Sequence, residues 1–98
     1  MTSSTGVPAT PAMVEHLRAL LPPDAIWSVC APGIHQLPMN LHCLAWGGHV
    51  RTGLEDNVYL RRGQLATNAE LVERMVSLAS LTDRPVATVQ QARELLRL

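Results

Sequence analysis

The sequence predicts an α/β fold made of parallel βα units. Three observations carry that reading. Helix and strand patterns alternate along the chain instead of falling into blocks, the order that right-handed crossovers between parallel strands require. The two strand candidates, AIWSVCA at residues 25–31 and the run from His49 to Leu54, begin roughly 23 residues apart, a normal βαβ spacing. The second strand then runs into a polar loop, and α/β folds keep their chemistry at the C-terminal ends of strands.

Each element has a local cause. Thr10 can cap a first helix with Pro11 at its first position, where a missing N–H costs nothing. Met13, Val14, Leu17, Leu20 and Leu21 line one side of it at helical spacing, and Pro22–Pro23 stops it. Residues 25–31 are short and nearly all apolar, as a strand buried on both faces is. Gly33 breaks that strand. Pro38 opens a second helix running to Trp46, and Gly47 and Gly48 end it. After the second strand and the polar loop, Thr67 and Glu70 form a capping box. Leu71, Met75 and Leu78, with Val72, Val76 and Ala79, give the helix that follows a broad apolar stripe. Asp83 and Pro85 mark a turn. Thr88 and Gln91 repeat the box before a last short helix carrying Ala92, Leu95 and Leu96. Two strands leave a sheet with uncovered faces and edges, so the chain reads as one end of a larger α/β protein.

Composition narrows the partners. A chain of 98 residues, 47% hydrophobic, suits one small domain with a core. Its 8 basic and 8 acidic residues cancel, so no basic face points to nucleic acid. Every basic residue is arginine, which is read as lineage bias and not as chemistry. Cys30 and Cys43 make neither a CxxC pair nor a zinc-finger spacing. Both are expected as small buried hydrophobes in a reduced, cytoplasmic setting. No apolar run has the length of a membrane span, and MTSSTG lacks a secretory pattern.

The chemistry concentrates in GGHVRTGLEDN, residues 47–57. Arg51 alternates with Val50, and Glu55 and Asp56 fall where strand gives way to loop. A carboxylate there can bind a metal or take a proton, and an arginine can hold a carboxylate or a developing enolate. The same residues also fit a structural ion pair at the rim of a sheet. From residue types alone both readings stand.

The segment GGHVRTGLEDNVYLRRGQLATNAELVERM resembles the C-terminal signature of the β-keto acid cleavage enzymes, among them the 3-keto-5-aminohexanoate cleavage enzymes. The resemblance continues through RPVATVQQARELL and reaches upstream to TGVPATPAMVEHLRALLPPDAIWSV. Thr52 stands where the family pattern usually has valine, a β-branched exchange. The resemblance implies a C-terminal fragment of a TIM (β/α)₈ barrel. Residues 1–9 would be a leader and the end of a barrel strand, and residues 10–98 the C-terminal βα units. It implies a divalent metal, typically zinc, and acyl transfer between a β-keto acid and acetyl-CoA that yields acetoacetate and a new acyl-CoA. It makes Glu55 the metal-binding glutamate and places Arg51 and Asp56 in carbon–carbon bond cleavage and formation. It also implies homo-oligomers in the full-length family, whose chains are about three times longer, as a whole barrel needs. The family's histidine pair, which completes its metal site, has no counterpart among these residues. A fragment with one carboxylate ligand is expected to be inactive alone, so the alternative is a non-catalytic remnant or an interaction partner of a complete barrel.

The remaining polar residues take plainer readings. His16, His35, His42 and His49 show no HxH or HExxH spacing, so a self-contained zinc site is not expected. His16 is read as solvated. His35 and Gln36 follow the first strand, where they could face the mouth of a site. Cys30 has no base beside it in sequence and reads as a structural thiol. Asn57 shapes the loop or bonds the carboxylates. Arg61 and Arg62 could attract the phosphates of coenzyme A, though a solvated pair explains them. Trp27 and Trp46 read as packing residues, and Asn68 as part of a helix cap.

Overall fold

The structure is a computed structural model that describes residues 6–98. Residues 1–5 of the expected leader lie outside the described residues. The first helix, α1, spans Pro11–Ala19. Thr10 caps it, accepting from the Met13 N–H at 3.2 Å, and Pro11 sits in its first turn. Of the expected apolar line only Val14 is buried, while Leu17, Leu20 and Leu21 are exposed.

The first strand, β1, is confined to Ser28–Val29 and pairs in parallel with β2, His49–Val50, in the register Ser28↔His49 and Val29↔Val50. Both strands are shorter than the expected 25–31 and 49–54. Ser28 is exposed and Val29 half-buried, so the expected burial on both faces is corrected. The reason is topological. Among the described residues the sheet holding these strands has two members, and none of those residues extends the ladder on either side.

A short 3₁₀ turn, Gly33–His35, leads into α2, Gln36–Ala45. This helix begins two residues before Pro38, which therefore sits in the first turn, where proline is tolerated. It ends in a Schellman arrangement. The Gly48 N–H reaches the Cys43 carbonyl at 2.8 Å, and Gly47 takes φ +88°, open to glycine without cost. Gly48 has a different reason to be glycine. A Cβ there would lie 2.7 Å from the Trp27 ring. The glycine pair thus both ends α2 and lets the chain pass tightly under Trp27 into β2.

The segment read as a polar loop contains an antiparallel hairpin, β3 at Tyr59–Arg61 and β4 at Gln64–Leu65, turning through Gly63 at φ +79°. Beyond it α3, Asn68–Leu81, carries the expected capping box and buries Leu71, Met75 and Ala79. Val72 and Val76 stay exposed, so the buried stripe is narrower than expected. The chain turns at Asp83, at φ 56°, and α4 follows at Val89–Leu96 with the second capping box. No residue of α4 is buried.

One core cluster joins Val14, Ala31 and Met39, with Ala9, Trp27 and Val29 packed on it. Helix α2 is central, touching β1, β2 and α3. Arg84, from the turn before α4, donates to the Gly48 carbonyl and, at 3.5 Å, to the Leu44 carbonyl. A cation suits the carbonyl end of α2. Trp46 departs from the expected packing role. It is 56% exposed, with the Arg18 guanidinium 5.8 Å from its ring centroid.

Candidate active site

The candidate site lies where β2 ends. Two side chains of α2 set the backbone there. Gln36 and Asn40 are four residues apart on one helical face, and each is only 1% exposed. The Asn40 amide donates to the Arg51 carbonyl at 2.9 Å and accepts from the Arg51 N–H at 3.3 Å. Gln36 accepts from the Thr52 hydroxyl at 2.9 Å, and its own amide nitrogen lies 3.5 Å from the Gly53 carbonyl. The two amides act as a rung that the strand's exit hangs on. Sequence reading missed both roles, although a signal exists. Gln36 and Asn40 are uncharged amides alongside the apolar Met39 and Cys43, on the side of α2 that faces the strands.

Past Gly53 the chain closes a tight turn. The Gly53 carbonyl accepts from the N–H groups of Asp56, at 3.3 Å, and Asn57, at 3.2 Å. The Leu54 N–H donates to the Asn68 side chain at 2.9 Å. Asn68 therefore holds the site loop from the start of α3, which replaces the simple cap role expected of it. The Gly33 N–H binds the Asp56 carbonyl at 2.7 Å, tying the loop after β1 to the loop after β2. Asn57 shapes the loop, bonding both the N–H and the carbonyl of Tyr59, at 3.1 and 2.7 Å.

This frame brings Arg51, Glu55 and Asp56 together. Arg51 Nε donates to Asp56 Oδ2 at 3.1 Å, and a terminal nitrogen reaches Glu55 Oε2 at 3.3 Å. Exposure separates the two carboxylates. The Asp56 side chain is 16% exposed and the Glu55 side chain 83%. Asp56 is held in place, and Glu55 is free to meet another group. The negative charge of Asp56, the largest cause, holds Arg51 above its ordinary pKa.

Cys30 departs from its expected burial. It is exposed at the end of β1, and its thiol lies 3.6 Å from Asp56 Oδ2. Local desolvation, and after it the Asp56 charge, push the thiol pKa up, so the group is a protonated neighbour and not a thiolate nucleophile. Cys43 is fully buried, as expected.

Three of the histidines stay apart from this site. His16 is exposed, as read, and His49 is exposed at the start of β2. His42 bridges α2 to α1 through Glu15 at 3.0 Å, and Arg18 meets the same carboxylate at 2.7 Å. Among the described residues no three His, Cys, Asp or Glu side chains converge as a metal site would require. Glu55 offers one open carboxylate, short of the three or four protein ligands of a zinc centre. The residues present do not by themselves fit a complete metal site.

The family model for beta-keto acid cleavage enzyme matches residues 1–98. The chain belongs to the β-keto acid cleavage enzyme family. It is 46% identical over 92 residues to the 3-keto-5-aminohexanoate cleavage enzyme of Acetoanaerobium sticklandii, covering 93% of this chain and 34% of that protein. It is 47% identical over 79 residues to the enzyme of that name from Fusobacterium nucleatum, covering 80% of this chain and 29% of the relative. It is 49% identical over 88 residues to the 3-oxoadipate:acetyl-CoA acetyltransferase of Cupriavidus necator, covering 89% of this chain and 31% of that protein. The chain thus spans about a third of the length of the relatives it matches.

Proposed function

We propose that this chain supplies the C-terminal βα units, residues 10–98, of a (β/α)₈ barrel that transfers an acyl unit between a β-keto acid and acetyl-CoA, giving acetoacetate and an acyl-CoA. Residues 1–9 then lead in from the end of the preceding strand. The observation that carries the reading is the Arg51–Asp56 contact of 3.1 Å at the C-terminal end of a parallel strand, with the Asp56 side chain largely covered. That is where barrel enzymes place their chemistry. The names of the relatives supply the substrate class, since several are acetyl-CoA-dependent transferases of keto acids.

In this reading Asp56 handles the proton that moves as the carbon–carbon bond forms or breaks. Arg51 holds Asp56 in place, and its guanidinium steadies the oxygen that gathers negative charge on the keto substrate. Glu55, open to solvent, is one carboxylate donor to a divalent metal, zinc or another. The remaining donors are not among the described residues. The setting is cytoplasmic, where acetyl-CoA is available, and the working assembly is a homo-oligomer.

The test restores the rest of the barrel. The chain is joined to the part of the Cupriavidus necator relative that it does not match, the joined protein is incubated with acetyl-CoA, zinc and 3-oxoadipate, and acetoacetate is followed by mass spectrometry. Acetoacetate formation that falls at least a hundredfold in Arg51→Gln and in Asp56→Asn supports the reading. Formation that survives both substitutions, or no formation by the unaltered joined protein, overturns it.

A further inference from the structure

A second feature opens beside the Asp56 turn. Between the Pro32–His35 connection and the β3–β4 hairpin lies a cleft of about 860 Å³. That is the size of a site for a cofactor-sized ligand. Its charge is one-sided. Arg61, Arg62 and Arg74 line it together with His35, and no Asp or Glu does. The chain is neutral overall, with 8 acidic residues, so their exclusion from this wall is a local departure. The chain's single tyrosine, Tyr59, lines the same cleft and is half exposed.

Arg74 is held in an unusual state for a guanidinium. It reaches in from α3, and one terminal nitrogen donates to the Leu60 carbonyl. Its Nε is buried with no hydrogen-bond partner among the described residues. Burial, and then the neighbouring Arg61 charge, push its pKa below the ordinary arginine value. Two neighbouring cations with no carboxylate partner among the described residues strengthen the local field for an anion. Arg61 and Arg62 are exposed on the hairpin rim, where they can close on such a ligand.

The cleft also adjoins the candidate site. Gly33 lines it and donates to the Asp56 carbonyl, and Asn57, the residue after Asp56, lines it as well. A ligand lying here would have its charged end on the hairpin and a path to Asp56. In barrel enzymes, phosphate sites recur in the loops after the last two strands, the positions these two loops take if the barrel reading holds.

We propose that this cleft binds the phosphate-bearing end of coenzyme A, with Arg61 and Arg62 as its direct anion partners and Arg74 as a fixed positive charge on its wall. The proposal rests on the acetyl-CoA reading above. Coenzyme A fits the features together: several phosphate charges for the arginines, an adenine base for the Tyr59 face, and a long uncharged arm leading toward the reacting groups. Arginine matches phosphate oxygens in a two-pronged geometry that lysine lacks.

The experiment is calorimetric binding to the chain of coenzyme A, pantetheine and inorganic pyrophosphate. Coenzyme A is expected to bind at least tenfold more tightly than pantetheine. Arg61→Gln/Arg62→Gln should erase that difference while leaving the circular dichroism spectrum unchanged, since both side chains are exposed. Arg61→Lys/Arg62→Lys should keep part of the affinity, which separates lost charge from damaged structure. Equal binding of coenzyme A and pantetheine overturns the proposal. So does affinity indifferent to the glutamine pair. Pyrophosphate binding as tightly as coenzyme A would make this a general anion site and also overturn it. The two readings fail separately. Acetyl-pantetheine turned over as well as acetyl-CoA would sink the cleft and leave the transferase reading standing. Arginine-dependent coenzyme A binding without acetoacetate formation would do the reverse.

Discussion

The Asn40 amide occupies both hydrogen-bonding groups of the Arg51 backbone, at 2.9 and 3.3 Å, from a side chain only 1% exposed. Asn40→Leu keeps the branched heavy-atom shape and removes both bonds. Unmade bonds at a buried site cost about 1–3 kcal/mol, so urea unfolding is expected to show a loss of that order. A loss of a few tenths would mean that the rung does not hold β2. The Cys30 thiol reports on the other side of the site. Desolvation and then Asp56 raise its pKa, while Arg51 lowers it. Removing the carboxylate charge in Asp56→Asn brings the thiol down toward its ordinary value. More thiolate then exists at mildly alkaline pH, and alkylation by iodoacetamide should be faster than in the unaltered chain. Arg51→Gln removes the opposing charge, and alkylation should be slower. Buried Cys43 serves as the unreactive internal control. Rates that do not change in opposite directions would mean that the three side chains do not share one site in solution. Little of this supporting set was legible in the sequence. GGHVRTGLEDN showed Arg51, Glu55 and Asp56 because their chemistry sits in one short segment. Gln36, Asn40 and Asn68 act on that segment from 11 to 17 residues away, and Cys30 from 26. Their partners are fixed only when the chain folds.

At the scale of elements, the helix caps were legible because they are local. The Thr67 and Thr88 boxes join residues three apart and read directly from spacing. Strand lengths were not legible, because a ladder needs a partner and apolar sequence alone does not say where pairing stops. The hairpin at 59–65 was hidden by the arginine pair at its turn. The two boxes make a paired prediction. Helix α3 buries Leu71, Met75 and Ala79, whereas α4 buries nothing. Thr67→Ala is therefore expected to cost the whole fold about 1 kcal/mol. Thr88→Ala should leave the global unfolding midpoint unchanged and only loosen α4 locally. Equal midpoints for both variants would show that α3 does not hold the fold together. Gly48 gives a sharper test of packing. An added Cβ would meet the Trp27 ring at 2.7 Å, and overpacking of this kind costs about 1–3 kcal/mol. Gly48→Ala should destabilise to that extent in the unaltered chain and much less in a Trp27→Leu background. The same cost in both backgrounds would place the strain in the backbone and not in the ring contact.

Across the whole molecule, order should follow burial. Helix α2 touches both parallel strands and α3, and its Asn40 and Gln36 also fasten the site loop. Arg84 closes the C-terminal end of the same helix through the Gly48 carbonyl. The amides of α2, β2 and the buried face of α3 therefore belong to one cooperative unit. Helix α4 stands outside that unit. Its Val89, Leu95 and Leu96 are all substantially exposed, and its hydrogen bonds are local. Eight residues are too few for a helix to persist in water on its own, where about 12–15 are marginal even in favourable sequences. Only its capping box and its tether to α3 support it. Native-state hydrogen exchange should thus find α2 and α3 protected together and α4 opening with little protection. The site loop should exchange with the first group, because Asn40, Gln36 and Asn68 tie it to helices that do not open. If α4 instead exchanges as slowly as α3, its apolar face is covered in solution. Dilution then identifies the cover. Protection that falls with concentration means a second copy of this chain lies on α4, and protection that does not fall means α4 folds back onto its own chain.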